Sequence, residues 1–150
     1  MRFQYRLTLF IVLLLWFSGI FVEWWITFEN HFLFALPFLQ KTYSLVCHQD
    51  KTKLLIFNHG ETLTCARCTG IYLGLLFVSI IFLFKDFKRK FPVKFLLYAV
   101  VPMIADVLLY SLNVYHYSKL VAFNTGLLLG SVGFLYLYTG LNNLIIEMEN

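Results

Sequence analysis

The groups able to do chemistry are concentrated in two short stretches, Cys47-His48 and Cys65-Ala66-Arg67-Cys68, which hold all three cysteines of the chain. Thiolates and imidazoles are the soft ligands that bind zinc or iron, and paired thiols are the groups that exchange disulfides. Cys47, Cys65 and Cys68 with His48 form a three-sulfur, one-nitrogen set suited to zinc. Adjacent Cys47 and His48 reach one ion only through an unusual local bend, so His59 or Asp106 is a rival for the fourth position. A closed tetrahedral set would be structural, whereas three ligands and a water would allow hydrolysis or lipid chemistry. A second reading is thiol-disulfide exchange by Cys65 and Cys68 with Cys47 resolving, although no thioredoxin-like strand pattern surrounds them. A third is a structural or scaffold protein in which a disulfide from Cys47 pins a loop to a helix.

The elements that must position these groups are membrane helices. Of 150 residues, 60% are hydrophobic and 13% charged, and the mean hydropathy is +0.75, more apolar than one soluble core requires. Four apolar runs, each close to the roughly 20 residues that cross a bilayer core, predict an all-α membrane protein. The expected architecture is a four-transmembrane-helix bundle, a single membrane domain over 1–150 with spans near 7–28, 66–84, 95–112 and 120–141. The first run follows Arg2 and Arg6 but lacks a small-residue cleavage pattern and ends in Trp24-Trp25, which reads as a retained anchor.

Lys85, Lys88, Arg89, Lys90 and Lys94 oppose a lone Asp86 in the linker after the second span, which places that linker in the cytoplasm. Four spans then put both termini in the cytoplasm and the Cys/His loop, 29–65, on the extracytoplasmic side of the cell membrane. The basic cluster orients the chain in the lipid bilayer, and no nucleic-acid partner is expected. Within the loop the segment 31–46 is apolar but broken by Pro37 and Gln40-Lys41, predicting an interfacial helix. Asn58-His59-Gly60 reads as a turn, and Thr62 and Thr64 as helix caps, so Cys65 and Cys68 fall in the first turn of the second span. The positive end of that helix, with Arg67, favours their thiolates.

Ala66-Arg67-Cys68-Thr69-Gly70-Ile71-Tyr72-Leu73-Gly74 aligns without gaps to Ala122-Phe123-Asn124-Thr125-Gly126-Leu127-Leu128-Leu129-Gly130. The shared Gly-x-x-x-Gly permits close helix approach, within the chain or in a homo-oligomer. Asp106 lies about 9 Å below the expected outer surface, with Asn124 about as deep. An ionisable residue at that depth needs a partner, here Arg67 or Tyr110, or else a role as ligand or proton carrier. Asp106 and Arg67 are therefore the catalytic candidates, and Thr69, Tyr72, Tyr110 and Asn124 the other polar site candidates; Glu23, beside the tryptophans, can reach water.

Cys-His-Gln at 47, Cys-x-Arg-Cys-Thr-Gly-Ile-Tyr-x-Gly from Cys65 to Gly74, an intramembrane Pro and Asp, and a late Thr-Gly-x-x-x-Gly resemble an uncharacterised prokaryotic multi-pass membrane-protein family, a domain of unknown function. The likeness covers roughly 43–133 and implies a multi-helix membrane protein without naming an activity. The chain departs from that pattern at Lys51-Thr52, where Arg-Ser is usual, at Val107, where Gly follows the Asp, and at Ala122-Phe123, where an arginine often stands.

Overall fold

Apolar segments placed in lipid must satisfy every backbone polar group internally, and the helix is the local solution. The computed structural model describes residues 3–28, 33–57, 60–85 and 92–149. Helices α1 (Phe3–Gly19), α2 (Val22–Phe28) and α3 (Leu36–Ser44) are followed by strands β1 (Leu54–Phe57) and β2 (Gly60–Cys65), then α4 (Ala66–Phe84), α5 (Lys94–Ser111) and α6 (Lys119–Glu149). The last three are long and apolar enough to cross a membrane, while α1 is apolar and 17 residues long. The protein is an all-α membrane protein with one small hairpin, and its helices imply a bilayer around them. Much of their apolar surface faces outward: Phe84 is 85% exposed, Tyr98 75% and Leu120 75%, which only hydrocarbon surroundings make favourable.

Four helix ends meet at one end of the bundle. Arg6, at the start of α1, lies against the Phe82 carbonyl at the end of α4, whereas Trp16 packs against Tyr72 near the start of α4, so the two helices are antiparallel. Just before α5, Pro92 O accepts from the Tyr136 hydroxyl at 2.7 Å, and within α5 Asp106 pairs with Arg67. The end of α1, the start of α4, the end of α5 and the start of α6 thus share one side, covered by α3 and the hairpin.

The α4–α6 contact explains the sequence repeat. A Cβ at Gly70 would fall on the Phe123 carbonyl and at Gly74 on the Leu127 carbonyl; reciprocally, one at Gly126 would fall on Arg67 O and one at Gly130 on Ile71 O. The pairings advance together along both helices, which therefore run parallel with their backbones in direct contact. All four glycines are used inside the chain. Of the two uses expected for these faces, the contact within the chain is the one seen here.

The first apolar run does not form the single helix expected over 7–28. It breaks after Gly19, where Ile20 N–H and Phe21 N–H turn back to Phe17 O and Ser18 O at 3.2 and 3.1 Å, and it restarts at Val22. The break frees the Ile20 carbonyl, which accepts the Leu63 N–H of β2 at 3.0 Å. Buried Tyr43 of α3 closes the same corner, its hydroxyl donating to Trp16 O and its ring edge-on to Trp16 at 5.0 Å. A tertiary hydrogen bond and an aromatic wedge outweigh continued helix. The hairpin was not expected either: β1 pairs antiparallel to β2 with Leu54 opposite Cys65 and Phe57 opposite Gly60, and an irregular register between Leu54 and Ile56. Thr62 and Thr64, expected as helix caps, are strand residues buried in it.

Candidate functional site

Cys47 is delivered by the chain leaving α3. Its N–H donates to Tyr43 O at 2.9 Å, which winds the backbone one further turn, and Gln49 then adopts a left-handed φ of 47° that reverses direction. The Gln49 side-chain amide fastens this reversal by donating to Gln40 O at 3.2 Å and Leu63 O at 3.0 Å, joining α3 to β2. Asp50 next caps the short 3-10 turn Lys51–Lys53 through Thr52 N–H and Oγ1. Cys65 is at once the last residue of β2 and the N-cap of α4, with extended backbone (φ −63°, ψ 158°), and Cys68 stands one turn into α4.

These elements bring the three Sγ atoms within 4.8 Å of one another, with Cys47 buried and Cys65 and Cys68 half-buried. All three are free thiols. The Cys65 N–H donates to Cys47 Sγ at 3.2 Å. Hydrogen bonds from the Cys65 and Cys68 thiols hold the Cys47 thiol far below its usual range, and the Cys65 and Gln49 backbones lower it further. The start of α4 contributes its partial positive charge to the same spot. The arrangement can stabilise negative charge on sulfur, as both a metal ligand and a nucleophile require.

The other residues singled out from sequence divide into neighbours and outsiders. Arg67 Nη2 binds Asp106 Oδ2, and Asp106 Oδ1 accepts the Tyr115 hydroxyl. Asp106 is buried with both oxygens engaged, so it stands beside the sulfur group without joining it. Its second partner is Tyr115, in the α5–α6 connection, rather than Tyr110. Tyr110 instead stacks edge-on with Tyr117 at 5.5 Å, and Lys53 Nζ lies 4.9 Å from its ring centroid. Burial, with Cys65 adding to it, pushes the Tyr117 phenol up to about 12. Thr69 is buried, sharing a hydrogen bond with Thr64 at 2.9 Å and donating to Cys65 O at 3.1 Å, which fixes the strand-to-helix corner. Tyr72 packs against Trp16.

His48 is exposed and outside the sulfur group. His59 lies outside the described residues. Asn124 is exposed and returns its amide to Leu120 O of its own helix at 2.9 Å. Cys47, the Cys65-to-Thr69 turn and Asp106 thus lie together, while His48 and Asn124 do not join them. Gln49, Thr64, Tyr115 and Tyr117 were missed. Tyr115-His116-Tyr117, an aromatic cluster beside the intramembrane Asp106, was the available signal for the last two.

No solved structure matches the chain. It is 35% identical over 113 residues to an uncharacterised protein of Methanocaldococcus jannaschii, covering 69% of this chain and 70% of that one. Residues 47–136 match the family model described as "Predicted membrane protein (DUF2085)". That region runs from the first cysteine through both glycine pairs and takes in Arg67, Asp106 and Tyr115, so the chain belongs to this family of membrane proteins.

Proposed function

We propose that the chain binds one thiophilic metal ion on Cys47, Cys65 and Cys68, at the extracytoplasmic end of a bundle held in the cell membrane with both termini in the cytoplasm. The observation that carries this reading is the meeting of three sulfurs within 4.8 Å, delivered by a reversed loop, a strand end and a helix turn. An ion there would tie the segment leaving α3 to the start of α4, in a half-buried position. Zinc is the ion expected for these three cysteines together with His48 or a rival fourth ligand, and with three sulfurs alone a water or substrate would fill the open position. The test is elemental analysis of protein purified in mild detergent, with thiols counted before and after chelation. One metal per chain, and three thiols that become reactive once it is removed, is the expected result. Absence of metal together with three freely reactive thiols sinks it.

The second reading rests on the stabilised Cys47 sulfur. As a thiolate it would attack a partner's disulfide, forming a mixed disulfide and expelling one partner sulfur as thiolate. Cys65 or Cys68, losing its proton, would displace the second partner sulfur and leave an intrachain disulfide, with two electrons passed to the partner. A metal-free protein showing one reactive thiol before reduction and three after it favours this course.

A further inference from the structure

We infer that the ion best suited to this cluster is monovalent and three-coordinate, copper(I), rather than zinc; the inference rests on the reading of the thiols as a metal site. The argument is one of donor count. Zinc in closed protein sites takes four ligands in a tetrahedron, whereas soft thiolates also satisfy copper(I). Around the three sulfurs the expected fourth donors among the described residues, His48 and Asp106, are otherwise placed. His48 is exposed and outside the group, and both Asp106 oxygens are taken by Arg67 and Tyr115. The Thr64 and Thr69 hydroxyls hydrogen-bond each other and the Thr64 and Cys65 carbonyls. Among the described residues no histidine or carboxylate joins the sulfur group.

The geometry agrees with the count. An ion in the plane of three sulfurs, about 2.3 Å from each, sets them about 4.0 Å apart, inside the 4.8 Å limit that the three already keep. Three thiolates around a monovalent ion leave the site anionic, and two features answer that charge. The Cys65 N–H points at Cys47 Sγ, and the N-terminus of α4 begins at Cys65 itself. Arg67 does not supply the balance, since its guanidinium is matched by Asp106. Sulfur alone in the donor shell and a half-buried position both favour a soft ion over one that retains water.

The experiment uses the full-length protein in detergent under ascorbate and inert gas, offered copper(I) buffered by a chromophoric chelator and zinc at equal total concentration. One copper per chain, near-ultraviolet thiolate-to-copper absorption and an X-ray absorption spectrum fitted by three sulfurs are expected, with bound zinc displaced by copper(I). Cys68→Ser should weaken copper retention at least tenfold, while His48→Ala leaves it unchanged. Retention of zinc against equimolar copper(I), or loss of copper in His48→Ala, overturns the choice of ion and leaves the metal site standing. If neither ion binds a protein whose three thiols titrate as free, the site itself is wrong. Circular dichroism of Cys68→Ser separates lost ligation from lost folding, and wild-type stoichiometry with unaltered Cys68→Ser affinity also overturns the three-sulfur assignment.

Discussion

The N–H of Cys65 donates to Sγ of Cys47 across 3.2 Å, so the residue that ends β2 and caps α4 also supports the sulfur of a residue in a separate loop. One backbone group thereby couples the helix start to the thiol cluster. Cys47 is the only buried member of the three, and its sulfur accepts the Cys65 N–H. Cys47→Ser should therefore remove bound metal almost entirely, to under about a tenth of the wild-type stoichiometry, because a hydroxyl does not replace a thiolate in a soft site. Elemental analysis of the two purified proteins side by side decides it, and equal metal content would refute the assignment of Cys47.

Metal retention should fall as pH falls, since protons and metal compete for the same thiolates. Dialysis against a metal-free buffer series, followed by metal and thiol counting at each step, should show metal leaving and thiols appearing together. Retention that does not vary with pH would argue against thiolate ligands.

The glycine contact makes a paired prediction. Gly130→Ala places a methyl on the Ile71 carbonyl in a backbone-to-backbone contact, and should cost about 1–3 kcal/mol of stability in detergent. Gly140→Ala, where nothing lies within 4 Å, should be neutral or slightly stabilising. Thermal unfolding of the two variants separates them, and equal midpoints would contradict the parallel α4–α6 packing.

Two phenols predict the alkaline limit. Burial pushes both Tyr43 and Tyr117 up to about 12, so each stays neutral in the folded protein after its unfolded counterpart ionises near 10. Their stabilising contribution is complete below the unfolded value and is lost as pH rises through the folded one. Stability should therefore decline between about pH 10 and 12, with tyrosinate absorption rising late. Tyr117→Phe should flatten part of that decline, while a decline unchanged in Tyr117→Phe would remove this residue from the account.

What was legible in sequence depended on how local the physics is. Long apolar runs announce α4, α5 and α6 because hydrocarbon thickness fixes their length, and the Gly70/Gly74 and Gly126/Gly130 pairs announced close packing. Soft-ligand chemistry picked out the three cysteines before their meeting could be seen. The break after Gly19 was not legible, because it is held by Leu63 and Tyr43 from later segments. Nor was the hairpin: its first strand, Leu54–Phe57, is four apolar residues with no alternation to distinguish it from helix. Gln49 and Tyr115 escaped notice because each acts only through partners brought to it by the folded chain.

The Arg67–Asp106 pair ties α4 to α5 at the depth of the cysteines, and its size can be tested by removing one charge or both. Arg67 and Asp106 are largely buried, with Tyr115 completing the carboxylate. Asp106→Asn leaves the guanidinium in an apolar setting without its counter-charge, and should cost about 3–5 kcal/mol. Arg67→Met with Asp106→Leu removes both charges and should recover most of that loss, since desolvating the pair offsets much of its attraction. Unfolding in detergent measures the three proteins, and metal content is read in parallel. If the pair only holds the helices together, the double variant keeps its metal; metal lost from a stably folded double variant would assign Arg67 or Asp106 a direct part in the thiol site.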